Sequence, residues 1–448
     1  MPARSGFPWQ RPRLELPLLV LVALATLTPV YAINAQDVSR LCLTRSLAHL
    51  RLSNDRCLGT DWATDKSAYG GHLYSDKAPG MSVLELPGSL AAPVADTDNW
   101  PIEGVQLWLP RVLASGIAFL LAVFLVGRVS EGVAPGFGGV SLVAFGLGTL
   151  FAPFAAAGFE HVTAGALGLA AFVLAWRRRP LLAGLVGGTA LLVAYEAALI
   201  VAILACYIVV LQGGPALLRY VGGVVPGVAL LLAYNALAFG APWHFSYHYI
   251  AGGNAVNQNS GFFGIHLPYA SAVGDVFVGR GGLLLISPVL PAAAFGLVLM
   301  GRRYRAEAIV CGAVTAAFCF LNCGYFAPYG GVSPGPRFLI PCLPFLALGL
   351  SSAFRRFFGL TAVLAALSVI ATTAVTLTWV SLQPREGTIW ARIVDLPVAL
   401  GSSAIARHLT SNVTVLLGST RGAGAALVSL AAGAALAVAL AGSRPAWR

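Results

Sequence analysis

Runs of about twenty apolar residues recur from one end of this chain to the other, and few folds can hold them. Each run is long enough to cross a hydrocarbon layer of about 30 Å as a helix. In lipid, a helix is one of only two ways to satisfy every backbone N–H and C=O. Twelve such segments are expected, at 16–33, 106–127, 138–158, 162–176, 181–195, 197–211, 216–239, 283–300, 308–325, 338–351, 360–380 and 423–441. Only 10% of the 448 residues are charged and 58% are hydrophobic, where a soluble domain carries about a quarter charged. The chain therefore reads as an all-α polytopic membrane bundle of about 12 transmembrane helices. Its 51 glycines are spread through the spans, where small residues let helices approach closely. No Gly-rich nucleotide-binding motif follows a strand pattern. No internal repeat of the kind that builds many transporters is visible either.

Charge sets the expected orientation. Arg4, Arg11 and Arg13 precede the first run, and Tyr31, Ile33 and Asn34 stand where a small-residue cleavage site would be needed. The run is expected to be a retained signal anchor. With the N-terminus in the cytoplasm, the inside segments hold fifteen of the 28 basic residues against only Glu15, Glu131 and Glu307. Short arginine-rich inside loops are the positive-inside pattern, so both termini are expected to be cytoplasmic in a cell inner membrane. The net charge of +11 then reflects topology and contact with anionic lipid. A nucleic-acid partner would need a soluble basic domain, and there is none. All seven histidines fall on the outer side, and so does every acid apart from those three glutamates. Any chemistry faces outward.

The outer segments of real size are 34–105, 240–281 and 381–421. Residues 1–351 are taken as a catalytic transmembrane module and 352–448 as a C-terminal transmembrane region. In the first loop, Val38, Leu41, Leu43, Leu47 and Leu50 are spaced for a helix lying on the membrane, with Arg40, Arg45 and Arg51 turned to headgroups. Residues 81–86 and 90–94 suggest a second surface helix broken at Pro87-Gly88. Cys42 and Cys57 share this loop in an oxidising compartment, where a disulfide is allowed, though spacing alone does not pair them. Cys206, Cys311, Cys319, Cys323 and Cys342 read as small packing residues of the spans.

Several ionisable groups are expected to meet at one outer depth. Asp37 follows the first span. Lys77 sits in Gly71-His72-Leu73-Tyr74-Ser75-Asp76-Lys77-Ala78-Pro79-Gly80. Glu160 and His161 lie at the turn between the third and fourth spans, Tyr195 and Glu196 at the turn between the fifth and sixth. Arg337 ends the stretch from Tyr329 before the tenth span. Such groups at membrane depth are costly and are functional candidates, whereas the spans themselves carry essentially no buried charge. Blander readings stand beside these. Asp37 suits a helix cap, Lys77 a headgroup contact, and Arg337 a topology anchor. His244, Tyr247 and His248 are spaced for one helical face but lack a third metal ligand. Asn412-Val413-Thr414 fits a glycosylation sequon, a common chance match.

The run Ser39-Arg40, Leu43-Thr44-Arg45-Ser46-Leu47, Asp65-Lys66 and Gly71 through Gly80 resembles the first outer loop of bacterial GT-C-class membrane glycosyltransferases. That class includes the protein O-mannosyltransferases and the aminoarabinose transferases of lipid A. Gly330-Gly331 through Pro341, with Leu343-Pro344-Phe345, is similar to a second block of the same class. The resemblance runs to about Ser351. It implies transfer of a sugar from a polyprenyl-phosphate donor to a lipid, glycan or protein acceptor by a single inverting displacement. It further implies Asp37 as base, Lys77 and Arg337 as phosphate ligands, and Asp76, Tyr74, Glu160, His161, Glu196 and Tyr329 as further substrate contacts. The chain departs from the class in having Gln36 and Val38 beside Asp37 where many members carry paired acids, which makes Asp65 and Asp76 substitutes for the base. No cofactor is called for, and a divalent metal is left open. A flippase of lipid-linked saccharides would use the same cations without a base, and a non-catalytic member of the same fold is the third reading.

Overall fold

A computed structural model describes residues 7–443 except 31, 32, 62, 94–101, 103, 253, 254, 332, 379–387, 389, 392–409 and 412–420. Apolar helical segments stand at all twelve expected places. Five are long and apolar enough to cross a membrane: Val105–Val133, Gly214–Phe239, Arg305–Gly324, Phe358–Thr378 and Gly424–Gly442. Two more are bent pairs, Ala270–Ile286 with Leu290–Met300 at 85° and Arg337–Ala347 with Leu350–Arg356 at 55°. The other five, Glu15–Leu27, Gly138–Gly148, Glu160–Trp176, Pro180–Val193 and Ala197–Gln212, are shorter. Helix length thus supports five to seven crossings among the described residues, and the expected twelve are not established by length. The first bend has a local cause at Ser287-Pro288, because proline cannot donate to the preceding turn.

Fully buried phenylalanines, among them Phe119, Phe145, Phe151, Phe172, Phe345 and Phe354, fill the centre of the bundle. Helices Pro180–Val193 and Gly214–Phe239 cross where Gly184 and Gly188 meet Gly223 and Gly227. A Cβ on Gly184 would lie 2.0 Å from the Tyr220 carbonyl oxygen. The far face of Gly214–Phe239 exposes Leu218, Leu230 and Leu237, as a helix against lipid does. Helix Arg421–Gly442 packs on Glu15–Leu27 and Gly138–Gly148. Most of segment 381–421, including Asn412-Val413-Thr414, lies outside the described residues.

The first loop covers one end of the bundle. Helix Ala35–Ala48 is not a surface helix: its residues Gln36 through Thr44 are all buried. Its apolar side packs Val38, Leu41 and Cys42 against Cys57, Leu58, Ala63, Ile102 and Leu107, and Leu43 against Phe239 and Tyr234. Cys42 and Cys57 form a disulfide. The second helix of this loop, Gly80–Ala91, runs unbroken through Pro87. It exposes Val83, Leu84 and Leu90 and buries Met81, Ser82, Glu85 and Gly88. A hairpin of Ser67–Tyr69 and His72–Tyr74 ties in the segment after Phe239. There the Ser67 hydroxyl donates to the Ser246 carbonyl at 2.8 Å and the Ala251 amide to the Lys66 carbonyl at 2.9 Å.

Candidate active site

Asp37 begins the site. Asn34, not Asp37, is the N-cap of helix Ala35–Ala48: its side chain accepts from the Gln36 and Asp37 amides, and Asp37 accepts from the Asn34 amide at 3.0 Å. This is a reciprocal capping box, which fixes the Asp37 carboxylate at the helix start. Arg111 then donates to it at 2.7 Å, and an Arg40 nitrogen lies 3.7 Å away. Helical spacing puts Gln36, Asp37, Arg40 and Thr44 on one face. Arg40 is 0% exposed; it binds Glu160 through Nη1 and lies 3.6 Å from Glu85 through Nε. The expectation that Arg40 reaches headgroups is therefore corrected, because Asp37 of its own helix and Glu85 and Glu160 from distant segments surround it. The expectation of charge-free spans also fails at Arg111, one turn into its run and 3% exposed.

Three carboxylates (Asp37, Glu85, Glu160) thus face two guanidinium groups (Arg40, Arg111). An uncompensated buried charge is expensive, and one acid can relieve it by keeping its proton. Burial pushes Glu85 up to about 7, with Arg40 opposing and the Asp37 charge adding to the rise. Neutral Glu85 leaves the cluster balanced.

Lys77 is placed by the turn before helix Gly80–Ala91. Its ammonium lies 2.9 Å from Asp65 and 3.0 Å from Asp76, while the Ser39 hydroxyl donates to Asp76 at 3.0 Å. Burial opposes charge on all three groups. Lys77 nevertheless has a raised pKa because the two aspartates outweigh burial. Burial also pushes at Asp65, but Lys77, with Arg337 and Arg40 behind it, holds Asp65 below its ordinary value. Asp76 ends raised, by burial and by the neighbouring Asp65 charge. The Lys-Ala-Pro-Gly run has a steric reason: a Cβ on Gly80 would sit 2.5 Å from the Leu192 carbonyl oxygen, so only glycine lets this turn seat on helix Pro180–Val193.

Arg337 opens the short helix Arg337–Cys342. Its guanidinium stacks 5.2 Å over Phe338, Nη1 donates to the Gln36 side-chain oxygen, and Nε has no hydrogen-bond partner among the described residues. Gln36 in turn donates to Glu160 at 3.2 Å. Gly330, at φ +77°, lies so close that a Cβ there would meet Arg337 Nε at 2.5 Å. His161 stands between two acids, Nδ1 3.7 Å from Glu160 and Nε2 3.6 Å from Glu196. A cleft opens among these groups, lined by Arg40, Lys77, Glu160, Tyr195, Glu196 and Tyr247.

Of the nine expected site residues, seven therefore gather here: Asp37, Asp76, Lys77, Glu160, His161, Glu196 and Arg337. Tyr74 does not, because its ring packs 5.2 Å from Phe239 in a separate apolar cluster. Tyr329 does not either; its hydroxyl accepts from the Gly281 amide at 3.0 Å and braces the loop before Arg337. Arg40, Arg111, Glu85 and Gln36 were missed. For Arg111 a signal existed, a charge inside an apolar run. His244 accompanies no partner histidine: its Nδ1 is 2.7 Å from the Phe239 carbonyl, ahead of the short helix Ser246–Tyr249 that holds His248. Among the described residues no group of three or more His, Cys, Asp or Glu side chains is arranged to hold a metal ion. Cations and carboxylates sharing one cleft can hold an anion on one side and accept a proton on the other.

No protein-family model matches the chain, and no curated protein matches its sequence. Solved structures that share its fold include two of one protein. ArnT from Cupriavidus metallidurans in the apo state is 16% identical over 96% of this chain and 76% of its own, with a TM-score of 0.54. The same protein bound to undecaprenyl phosphate is 16% identical over 95% of this chain and 76% of its own, with a TM-score of 0.52. At this identity the likeness is one of fold, and that fold is the GT-C type that the first-loop and Arg337 motifs resemble.

Proposed function

We propose that this chain is a membrane glycosyltransferase that moves a sugar from a polyprenyl-phosphate donor to an acceptor on the extracytoplasmic side. The observation that carries the reading is Lys77, only 7% exposed. It sits beside Arg40 on one cleft, with Arg337 adjoining, in a fold shared with a protein solved with undecaprenyl phosphate bound. Burying a lysine with two aspartates is costly, and a cation so held is ready for an anionic ligand. A donor phosphate takes the place of one aspartate on Lys77 and engages the unpartnered Nε of Arg337. Both cations then stabilise the charge that builds on the phosphate as the bond to the sugar breaks.

The acceptor is a lipid, glycan or protein hydroxyl that attacks the anomeric carbon from the face opposite the phosphate, inverting it. That attack needs a base. The first-loop resemblance gives this role to Asp37, whose oxygens here hold Arg111, Arg40 and the Asn34 amide. Asp37 is free to take a proton only when the Arg111 pair opens. The arginine distribution puts the termini in the cytoplasm and the cleft outside.

The test uses purified protein in nanodiscs with a panel of radiolabelled polyprenyl-phosphate sugars. Wild type is expected to release polyprenyl phosphate. Lys77→Ala and Arg337→Ala are expected to bind it about 10- to 100-fold more weakly, the worth of one hydrogen bond to a charged group. Should no donor be consumed while labelled lipid crosses a vesicle bilayer, the protein is a transporter and the proposal fails.

A further inference from the structure

We propose that Glu196, backed by His161, is the base that takes the acceptor proton; this rests on the transferase reading and names the group that completes it. Six carboxylates surround the cleft and its floor. Asp37 and Glu160 are tied to arginines, Asp65 and Asp76 to Lys77, and Glu85 to Arg40. Glu196 is different. Among the described residues no lysine or arginine nitrogen lies within ion-pair distance of it, and its Oε1 has no hydrogen-bond partner. It lines the cleft together with Lys77, with its side chain 13% exposed. It therefore needs no ion pair to open before it can act.

His161 stands directly behind Glu196, Nε2 3.6 Å from its carboxylate. The ring is 1% exposed, wedged by the edge of Phe338 at 5.2 Å, and neither nitrogen has a hydrogen bond among the described residues. A neutral imidazole has one N–H and one lone pair. Between two carboxylates it serves one as donor and leaves the lone pair to the other. Glu160, whose carboxylate pairs with Arg40 and accepts from Gln36, is the acceptor assigned to the Nδ1–H once the 3.7 Å gap between them closes. The Nε2 lone pair then faces Glu196 and can accept a hydrogen bond only from the protonated acid. His161 thus favours the state in which Glu196 has just received a proton.

The step balances. The acceptor O–H bond breaks and its oxygen bonds to the anomeric carbon. The carbon–oxygen bond to phosphate breaks, and the phosphate leaves with the electron pair. The proton rests on Glu196, bonded to His161 Nε2. Lys77, Arg40, Arg337, Glu160, Tyr195 and Tyr247 are the charged or titratable groups that face this pair.

Wild type, Glu196→Gln, Glu196→Asp, His161→Asn and Asp37→Asn are compared in nanodiscs on radiolabelled undecaprenyl-phosphate sugars, with water as acceptor. Release of undecaprenyl phosphate and its equilibrium binding are both read. Glu196→Gln is expected to bind undecaprenyl phosphate as wild type does and to lose about 10²- to 10⁴-fold in kcat, the usual worth of a general base. Glu196→Asp should recover part of that loss. His161→Asn should leave KM unchanged and move the acid limb of the pH profile of kcat/KM. The proposal is overturned if Glu196→Gln turns over within about threefold of wild type, or if only Asp37→Asn loses turnover. An unmoved pH profile in His161→Asn removes the positioning role. A wild type inert towards every donor sinks the transferase reading itself, a result separate from any variant effect.

Discussion

Glu85 carries a prediction whose sign and size follow from the charge count in its cluster. Its pKa rises from 4.5 to about 7 on folding, with burial the largest cause, so between these values the folded protein binds a proton that the unfolded chain has released. Stability from this group is full below about pH 4.5. It falls as pH rises, by about 1.4 kcal/mol per unit, and is exhausted near pH 7. The total is about 3 kcal/mol over that window. Glu85→Gln copies the protonated acid in shape and can still accept the Thr44 hydroxyl, 3.2 Å away, yet cannot ionise. Melting of wild type and variant in the same detergent at pH 5 and pH 7.5 checks it. The variant should gain on wild type by several degrees on going to pH 7.5, because every other titrating group is common to both proteins. A difference that stays constant between the two pH values would refute the charge-balance argument.

Two further variants probe the frame of the site. Arg40→Met leaves Asp37 paired with Arg111 but takes from Glu160 its arginine partner, and breaking a buried ion pair from one side costs about 3–5 kcal/mol. Its melting temperature should drop sharply, and a wild-type melt would show that Arg40 does not hold the cluster. Gly80→Ala forces a methyl to within 2.5 Å of the Leu192 carbonyl oxygen, where backbone on both sides cannot yield. A loss of about 1–3 kcal/mol is expected, together with weaker undecaprenyl-phosphate binding through the displaced Lys77. Unchanged melting and binding would mean the turn has room to move.

How far the sequence could be read depended on whether the deciding quantity is local. An apolar run announces its own helix, since hydropathy and length belong to the segment, and helices stand at all twelve expected places. The Gly71–Gly80 and Tyr329–Arg337 stretches were also legible, because charge beside glycine and proline near a membrane end is visible residue by residue. Whether a helix spans or stops short was not. Glu15–Leu27 and Gly138–Gly148 have the right composition but end early, and the bends at 85° and 55° arise where segments pack on each other.

Arg40 marks the boundary most clearly. Taken alone, an arginine on an amphipathic stretch belongs at a headgroup, yet it is buried here because Glu160, 120 residues away, and Glu85 from the neighbouring helix arrive beside it. Asp37 shows the same dependence. Its capping box lies within four residues and could be read locally, while its partner Arg111 comes from 74 residues on. Sequence by itself determined the helices, the membrane setting and the stretches that bear charge. Tertiary structure alone decided which charges pair and which acid is left free, because desolvation and Coulomb energy depend on the distance between groups that the chain keeps far apart.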